Sequence, residues 1–331
     1  MRAIEFAQFG PVETASLVEK GDPAPRRGEV IVAVHAAPVN FVDALVVTGA
    51  YQFLPELPFT PGKGPAGVVC ATGPAVERLH IGDRVLAMAE QGGYAEKVVV
   101  PADQCYPLPQ GLSFVQAAAM GVAFDTAWCA LRDRARLQPG ESVLVLGASG
   151  AVGIAAVQIA KVMGARVLAA IARKEKSGIV RRAGADAVVD LSAANLRDSL
   201  RAQVYNLTDG GGADIVLDPL GGDAFDAALR AVAWRGRLVV IGFASGRIPA
   251  VKVNYLLLKN IEISGLQISD YRKRRPDMMA NCYAELFDWF AAGRLVPIEV
   301  ETYPLERAAE AMAAVRDRRA SGRVVLAIRE S

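Results

Sequence analysis

The sequence has few of the residues that hold metals and cross-links. Its 331 residues include two histidines, His35 and His80, and four cysteines, Cys70, Cys105, Cys129 and Cys282. The cysteines are scattered, and neither histidine has a cysteine nearby. No tetrahedral metal set is expected, and each cysteine reads as a small core residue. The chain also lacks an excess of one charge: the net charge is +2, with no long single-sign block. The densest basic run, Arg272-Lys-Arg-Arg275, is short and reads as a solvated turn before a helix. No nucleic-acid partner is expected. No charged start leads into an apolar core and a cleavage site. No apolar run reads as long and charge-free enough to span a bilayer. These absences point to the cytoplasm and to no membrane partner.

What is present is a folded chain of two ordinary domains, 52% hydrophobic and 22% charged. Its most informative stretch is Val143-Leu-Val-Leu-Gly-Ala-Ser-Gly-Ala-Val-Gly153. Val143 to Leu146 predicts a short buried strand, Gly147, Gly150 and Gly153 a tight turn, and Ile154 to Met163 a helix closed by Gly164. Strand, glycine turn and helix form the geometry that holds a dinucleotide pyrophosphate. Gly147, Ala148, Ser149, Gly150, Ala151, Val152 and Gly153 are therefore candidate cofactor residues. The strict G-x-G-x-x-G pattern is not met, because Ala148 occupies its first position, and an ordinary strand-to-helix turn is the competing reading.

A second strand–helix unit follows, over Arg166–Ala172 and Lys174–Ala183. An acid about 20 residues past the last glycine would bind both ribose hydroxyls and favour NADH. Here Ala172 runs instead into Arg173, Lys174, Glu175 and Lys176. Cations at this place suit a 2′-phosphate, so the expected cofactor is NADPH.

Residues 1–117 predict a separate β-rich body with strands near 1–6, 28–37, 64–72, 83–88 and 93–100, and a short helix capped by Asn40. A helix over 113–131 follows. Further strands are expected at 187–190, 214–218, 237–242 and 261–265, with helices at 193–205 and 223–233. Six strands alternating with helices predict an α/β, doubly wound parallel sheet over residues 118–270. Ligands of such sheets bind at the carboxyl ends of strands, so Gly221 and the run Gly242, Phe243, Ala244 should face the cofactor. Residues 271–331, with a helix near 277–292, a strand at 295–300, a helix at 305–317 and a strand at 323–328, should return to the β-rich body.

Several motifs together resemble the zinc-independent, zeta-crystallin-like quinone oxidoreductases of the medium-chain dehydrogenase/reductase superfamily. They are Asn40-Phe-Val-Asp43, Gly49-Ala-Tyr51, Pro61-Gly62, Thr126-Ala-Trp128, the glycine turn, Asp218-Pro-Leu-Gly-Gly222, Gly236 to Ala244 and Leu258-Lys-Asn260. The resemblance implies a Rossmann domain with a GroES-like catalytic domain, and NADPH-dependent hydride transfer to a quinone or activated alkene. It places Asn40, Thr126 and the Phe243-Ala244 backbone near the nicotinamide, and Lys176 on the 2′-phosphate. Arg173 is a second phosphate candidate from its position alone. Pro61-Gly-Lys-Gly64 departs from the His-Glu pair of the zinc-dependent branch, and nothing in the sequence accounts for Lys63.

Without zinc, the substrate oxygen must gain its charge against hydrogen-bond donors. Tyr51 is the candidate proton donor, against a packing role on the nearby prolines. Quinones, enones and enoyl thioesters of CoA or an acyl carrier protein are the candidate substrates. A non-catalytic NADPH-binding protein is the alternative of another class. Ile261–Gly265, as the last strand, should form an open sheet edge and join a homodimer.

Overall fold

The computed structural model describes residues 1–329. The chain divides into two compact units, one of residues 1–122, 272–283 and 297–331, the other of residues 123–271 and 284–296.

The second unit carries a six-stranded sheet. In spatial order its strands are Ala187–Asp190, Arg166–Ile171, Ser142–Leu146, Ala213–Asp218, Val232–Val240 and Glu262–Gly265. All neighbours run parallel. Ser142–Leu146 is buried at every position, as a strand covered on both faces by helices must be. The chain winds outward from this strand in one direction, then returns to its other side. The order therefore reverses between Ser142–Leu146 and Ala213–Asp218, which is the doubly wound arrangement expected from sequence. Among the described residues, Glu262–Gly265 pairs with Val232–Val240 alone and forms an edge.

The first unit carries a seven-stranded sheet around Glu29–Pro38, which is buried at eight of its ten positions. Ala66–Thr72, Lys97–Pro101 and Arg323–Ala327 pair with it antiparallel. Val300–Pro304 extends the sheet parallel to Arg323–Ala327, with the helix Ala308–Arg316 between them in sequence. Arg84–Ala87 and Cys105–Pro107 complete the sheet. A separate hairpin-like pair, Arg2–Glu5 with Ser16–Glu19, lies outside it. Val30, Val32, Val34, Phe6, Phe59 and Tyr94 centre its core.

Several expectations are corrected. No strand forms at 295–300. The backbone N–H groups of Val296 and Ile298 donate to the side chains of Gln158 and Gln116 instead, and the strand starts at Val300. Val232–Val240 begins well before residue 237. A register shift opposite Ala213–Ile215 absorbs Ala233 to Gly236, and Arg235 takes φ +61°, which gives this strand segment the look of a turn. The helix after the glycine turn starts at Ala151, three residues early, because Gly150 is extended and acts as its N-cap. Arg272-Lys-Arg-Arg275 is no solvated turn: it ends the helix Ile268–Arg274, and the Arg272 side chain is fully buried against Glu90. Cys70 is exposed, while the other three cysteines are buried. One helical stretch, Phe114–Arg134, is long and apolar enough to cross a membrane by composition, but 83% of its most apolar window is buried inside the protein. Residues 284–296, placed by the sequence reading with the β-rich body, group with the second unit. Glu285 there accepts from Trp128 Nε1 at 2.9 Å and pairs with Arg132 at 3.0 Å.

Candidate functional site

The glycine turn leaves the carboxyl end of Ser142–Leu146, at the point where strand order reverses. Gly147 has φ +60°, and a Cβ there would lie 2.9 Å from Leu220 Cδ2. A Cβ on Gly153 would lie 2.4 Å from Gly147 O and 2.6 Å from Ala148 Cα. Only glycine lets the helix close this tightly on the turn. No side chain caps the helix Ala151–Val162. Its first-turn N–H groups, on Ala151, Val152 and Gly153, have no carbonyl one turn back to accept them. Together with the helix dipole they make a cradle for an anion. Ala148 serves otherwise: it is buried, and its N–H donates to Ala170 O at 3.0 Å.

Two further loops are tied together beside this turn by Asp218, an organising residue that the sequence reading did not single out as part of the site. It is fully buried at the end of the adjacent strand. Its Oδ1 accepts from the N–H groups of Leu220 at 2.8 Å and Gly221 at 2.9 Å. Its carbonyl accepts from Ile241 at 2.8 Å and Gly242 at 3.3 Å. Ala244 N–H then donates to Pro219 O at 3.1 Å, and Gly222 N–H to Arg247 O at 3.0 Å. Burial raises the Asp218 carboxyl above its usual range, while the two N–H donors oppose that shift. The arrangement brings Gly221 and the run Gly242, Phe243, Ala244 together. A Cβ on Gly221, at φ +66°, would clash, 2.9 Å from Arg247 O and 3.0 Å from the Phe243 ring.

Arg173 follows the strand Arg166–Ile171 and is exposed. Lys176 is half-buried in the next turn. Lys174, between them, reaches toward Asp190 at 3.8 Å. Thr126 is buried in the helix Phe114–Cys129, with its hydroxyl 3.5 Å from Asp125 Oδ1.

In the first unit, Asn40 is buried at the N-cap of the helix Phe41–Val47 and shares a capping box with Asp43. Asp43 Oδ2 accepts from Asn40 N–H at 2.8 Å, from Asn40 Nδ2 at 3.1 Å and from the Tyr94 hydroxyl at 3.1 Å. Asn40 Nδ2 also donates to Lys63 O at 3.2 Å, and Asn40 Oδ1 accepts from Arg323 Nη2 at 2.8 Å. Burial pushes the Asp43 carboxyl up to about 6, against the backbone hydrogen bond from Asn40 and the charge of Lys63. Burial also lowers the Arg323 guanidinium to about 10 and raises the Tyr94 phenol. Lys63 Nζ pairs with Glu90 Oε2 at 2.6 Å, and Arg272 takes Glu90 Oε1 at 3.1 Å. Sequence reading missed Lys63, Glu90, Tyr94, Arg272 and Arg323 as a group. The one available signal was the unusual lysine in Pro61-Gly-Lys-Gly64. Tyr51 is half-buried, packs on the core of its unit, and meets the Phe53 ring edge-on at 6.4 Å.

Among the described residues, no three His, Cys, Asp or Glu side chains gather to hold a metal ion. His35 stacks on the Phe114 ring at 4.4 Å, and His80 stands in solvent near Asp83.

Two family models match the chain. The alcohol dehydrogenase GroES-like domain covers residues 26–110, and the zinc-binding dehydrogenase model covers 151–285. A quinone oxidoreductase-like protein 2 homolog of Nematostella vectensis is 40% identical over 301 residues, 90% of this chain and 81% of that protein. The quinone oxidoreductase structure from Pseudomonas syringae pv. Tomato is 32% identical, with a TM-score of 0.91 over 99% of both chains. The Escherichia coli quinone oxidoreductase, solved in complex with NADPH, is 28% identical, with a TM-score of 0.91 over 99% of this chain and 100% of that one. With a GroES-like β-rich unit and a doubly wound dinucleotide unit aligned nearly end to end with these relatives, the chain belongs to the quinone oxidoreductase family of the medium-chain dehydrogenase/reductases.

Proposed function

We propose that this protein is an NADPH-dependent reductase that passes hydride to a quinone or an activated alkene without zinc. The observation that carries the reading is the uncapped, glycine-headed helix at the reversal of the sheet, followed after one strand by Arg173 and Lys176 where an NADH site would place an acid. The residues fit NADPH: Gly147 to Gly153 cradle the pyrophosphate through the N–H groups of Ala151, Val152 and Gly153. Arg173 and Lys176 take the 2′-phosphate. Gly221, Gly242, Phe243, Ala244 and Thr126 line the rest of the cofactor site.

When bound, NADPH supplies the hydride. The protein's part is to orient the acceptor and to stabilise the charge that develops on its oxygen. A quinone needs little help, because its reduced anion is aromatic. An enone or enoyl thioester needs a donor at the oxygen, and Tyr51 is assigned that role, with Asn40 at the nicotinamide end. Phe53, Leu54 and Leu57 are exposed at 65%, 45% and 40% close after Tyr51 in sequence. This apolar run favours a second reading within the same chemistry, an enoyl thioester with a hydrocarbon tail.

The protein acts as a homodimer in the cytoplasm in this reading. The edge strand Glu262–Gly265 and the exposed Leu257 and Leu258 beside it in sequence support pairing with a second copy. NADPH consumption measured side by side with benzoquinone, cyclohexenone and crotonyl-CoA tests the function. Turnover with at least one, unaffected by chelators and without stoichiometric zinc by elemental analysis, is expected. NADPH binding with no turnover of any of them would make it a non-catalytic binding protein.

A further inference from the structure

Asp218 is a buried carboxylate with no cation beside it. Its side chain is fully buried, and no lysine, arginine or histidine pairs with it among the described residues. The charge that acts on it is the like charge of Asp226, which adds to the effect of burial. Burying a lone carboxylate lowers stability, and hydrogen bonds are what offset that cost.

Those bonds all fall on one turn. Oδ1 accepts from the N–H groups of Leu220 and Gly221 at 2.8 and 2.9 Å, and Oδ2 accepts from Gly221 N–H at 3.2 Å. The turn needs them. Gly221 stands at φ +66° and ψ −154°, a conformation open to glycine alone. Without the carboxylate both N–H groups would lose their acceptor, that of Gly221 in a buried place. The turn in its own right sets the loop after the next strand. Ala244 N–H donates to Pro219 O at 3.1 Å, Ser245 N–H to Leu220 O at 2.9 Å and Gly222 N–H to Arg247 O at 3.0 Å. The N–H of Phe243, in the middle of that loop, meets no acceptor among the described residues. The Leu220 side chain also packs on the glycine turn, where a Cβ on Gly147 would lie 2.9 Å from its Cδ2.

All of these residues belong to the second unit, as do Arg173 and Lys176. The sheet order sets the two groups apart. Arg166–Ile171, which leads to Arg173 and Lys176, lies on one side of Ser142–Leu146, while Ala213–Asp218 and Val232–Val240 lie on the other. With the pyrophosphate on the central glycine turn and the 2′-phosphate on the first side, the nicotinamide half must run to the second.

We propose that Asp218 is a positioning residue for the nicotinamide half of NADPH alone. Its carboxylate locks the 219–222 turn, the turn locks the 241–247 loop, and the Phe243 N–H is left as a donor to that half. The inference rests on the NADPH-dependent reductase reading and assigns one residue to one end of the cofactor.

The test measures the affinity of wild type and Asp218→Asn for NADPH and for 2′,5′-ADP. The second ligand carries the adenosine, the 2′-phosphate and one phosphate of the pyrophosphate, but no nicotinamide. The amide keeps the size and one acceptor oxygen of the carboxylate and loses its charge and second acceptor. NADPH affinity should fall about 10-fold, and 2′,5′-ADP affinity should stay within about twofold. A merely structural role would move both ligands together. Equal losses, or no loss for either, overturn the inference and leave the reductase reading intact. Should Asp218→Asn fail to fold, hydrogen exchange on the wild type carries the test. NADPH should then slow exchange in 219–222 and 241–247, and 2′,5′-ADP should not. Equal protection by the two ligands, or by neither, overturns the inference. A wild type that binds neither ligand overturns the reductase reading with it.

Discussion

Arg323 Nη2 donates to Asn40 Oδ1 at 2.8 Å across 283 positions of sequence. A guanidinium only donates and a carboxylate only accepts, so Arg323 on one side and Asp43 on the other fix which way the Asn40 amide points. No carboxylate touches Arg323 directly. Its partners are an amide oxygen and two backbone carbonyls, and burial lowers it to about 10. Arg323→Met should therefore cost less stability than breaking a buried ion pair, on the order of 1.5–3 kcal/mol, while leaving Asn40 free to rotate. Chemical denaturation checks the first part. A fall in kcat at unchanged NADPH affinity checks the second.

Asp43 should make stability depend on pH. Its carboxyl rises from 3.8 to about 6 on folding, because burial penalises the charged form. A group raised in this way stabilises the fold fully below its unfolded value and loses that contribution as pH rises through the folded one. Between about pH 4 and 6 the wild type should lose stability relative to Asp43→Asn, by on the order of 3 kcal/mol. Denaturation midpoints of both proteins across that window check the sign. A difference independent of pH would mean that Asp43 stays ionised.

Lys176→Ala and Arg173→Ala should each weaken NADPH binding by on the order of 1.5–3 kcal/mol, with little effect on NADH. Titration with both cofactors is the measurement. Equal losses for both would remove the 2′-phosphate contact from these residues.

Leu258, exposed at 71%, stands shortly before the edge strand. Leu258→Asp should turn a dimer into a monomer, read by sedimentation at micromolar concentration. A wild-type monomer at that concentration would return the exposed leucines to ordinary surface.

Tyr51→Phe keeps the ring that packs on the core and removes one hydroxyl. With Tyr51 as donor, the enone rate should fall by about 10²–10⁴-fold and the quinone rate less. Unchanged rates with a small drop in melting temperature would leave Tyr51 a packing residue.

The sequence alone determined the elements whose signals are local. Val143 to Leu146 is an unbroken apolar run, the glycines after it permit the close turn, and Arg173 and Lys176 follow at a fixed count from Gly153. The doubly wound class followed from strand–helix alternation, because a parallel neighbour requires a crossover. Where two signals overlapped, the local reading failed. Arg235-Gly236 looked like a turn but lies inside a strand with a register shift, and Pro297 sits in a stretch whose N–H groups are satisfied by glutamine side chains. The charged cluster of the first unit was beyond sequence reasoning. Lys63, Glu90, Arg272 and Arg323 lie far apart along the chain, and Arg272 sits in a run that looks solvated. Only the tertiary structure decided that they meet, because burying a cation is tolerated solely where other segments bring its acceptors to it.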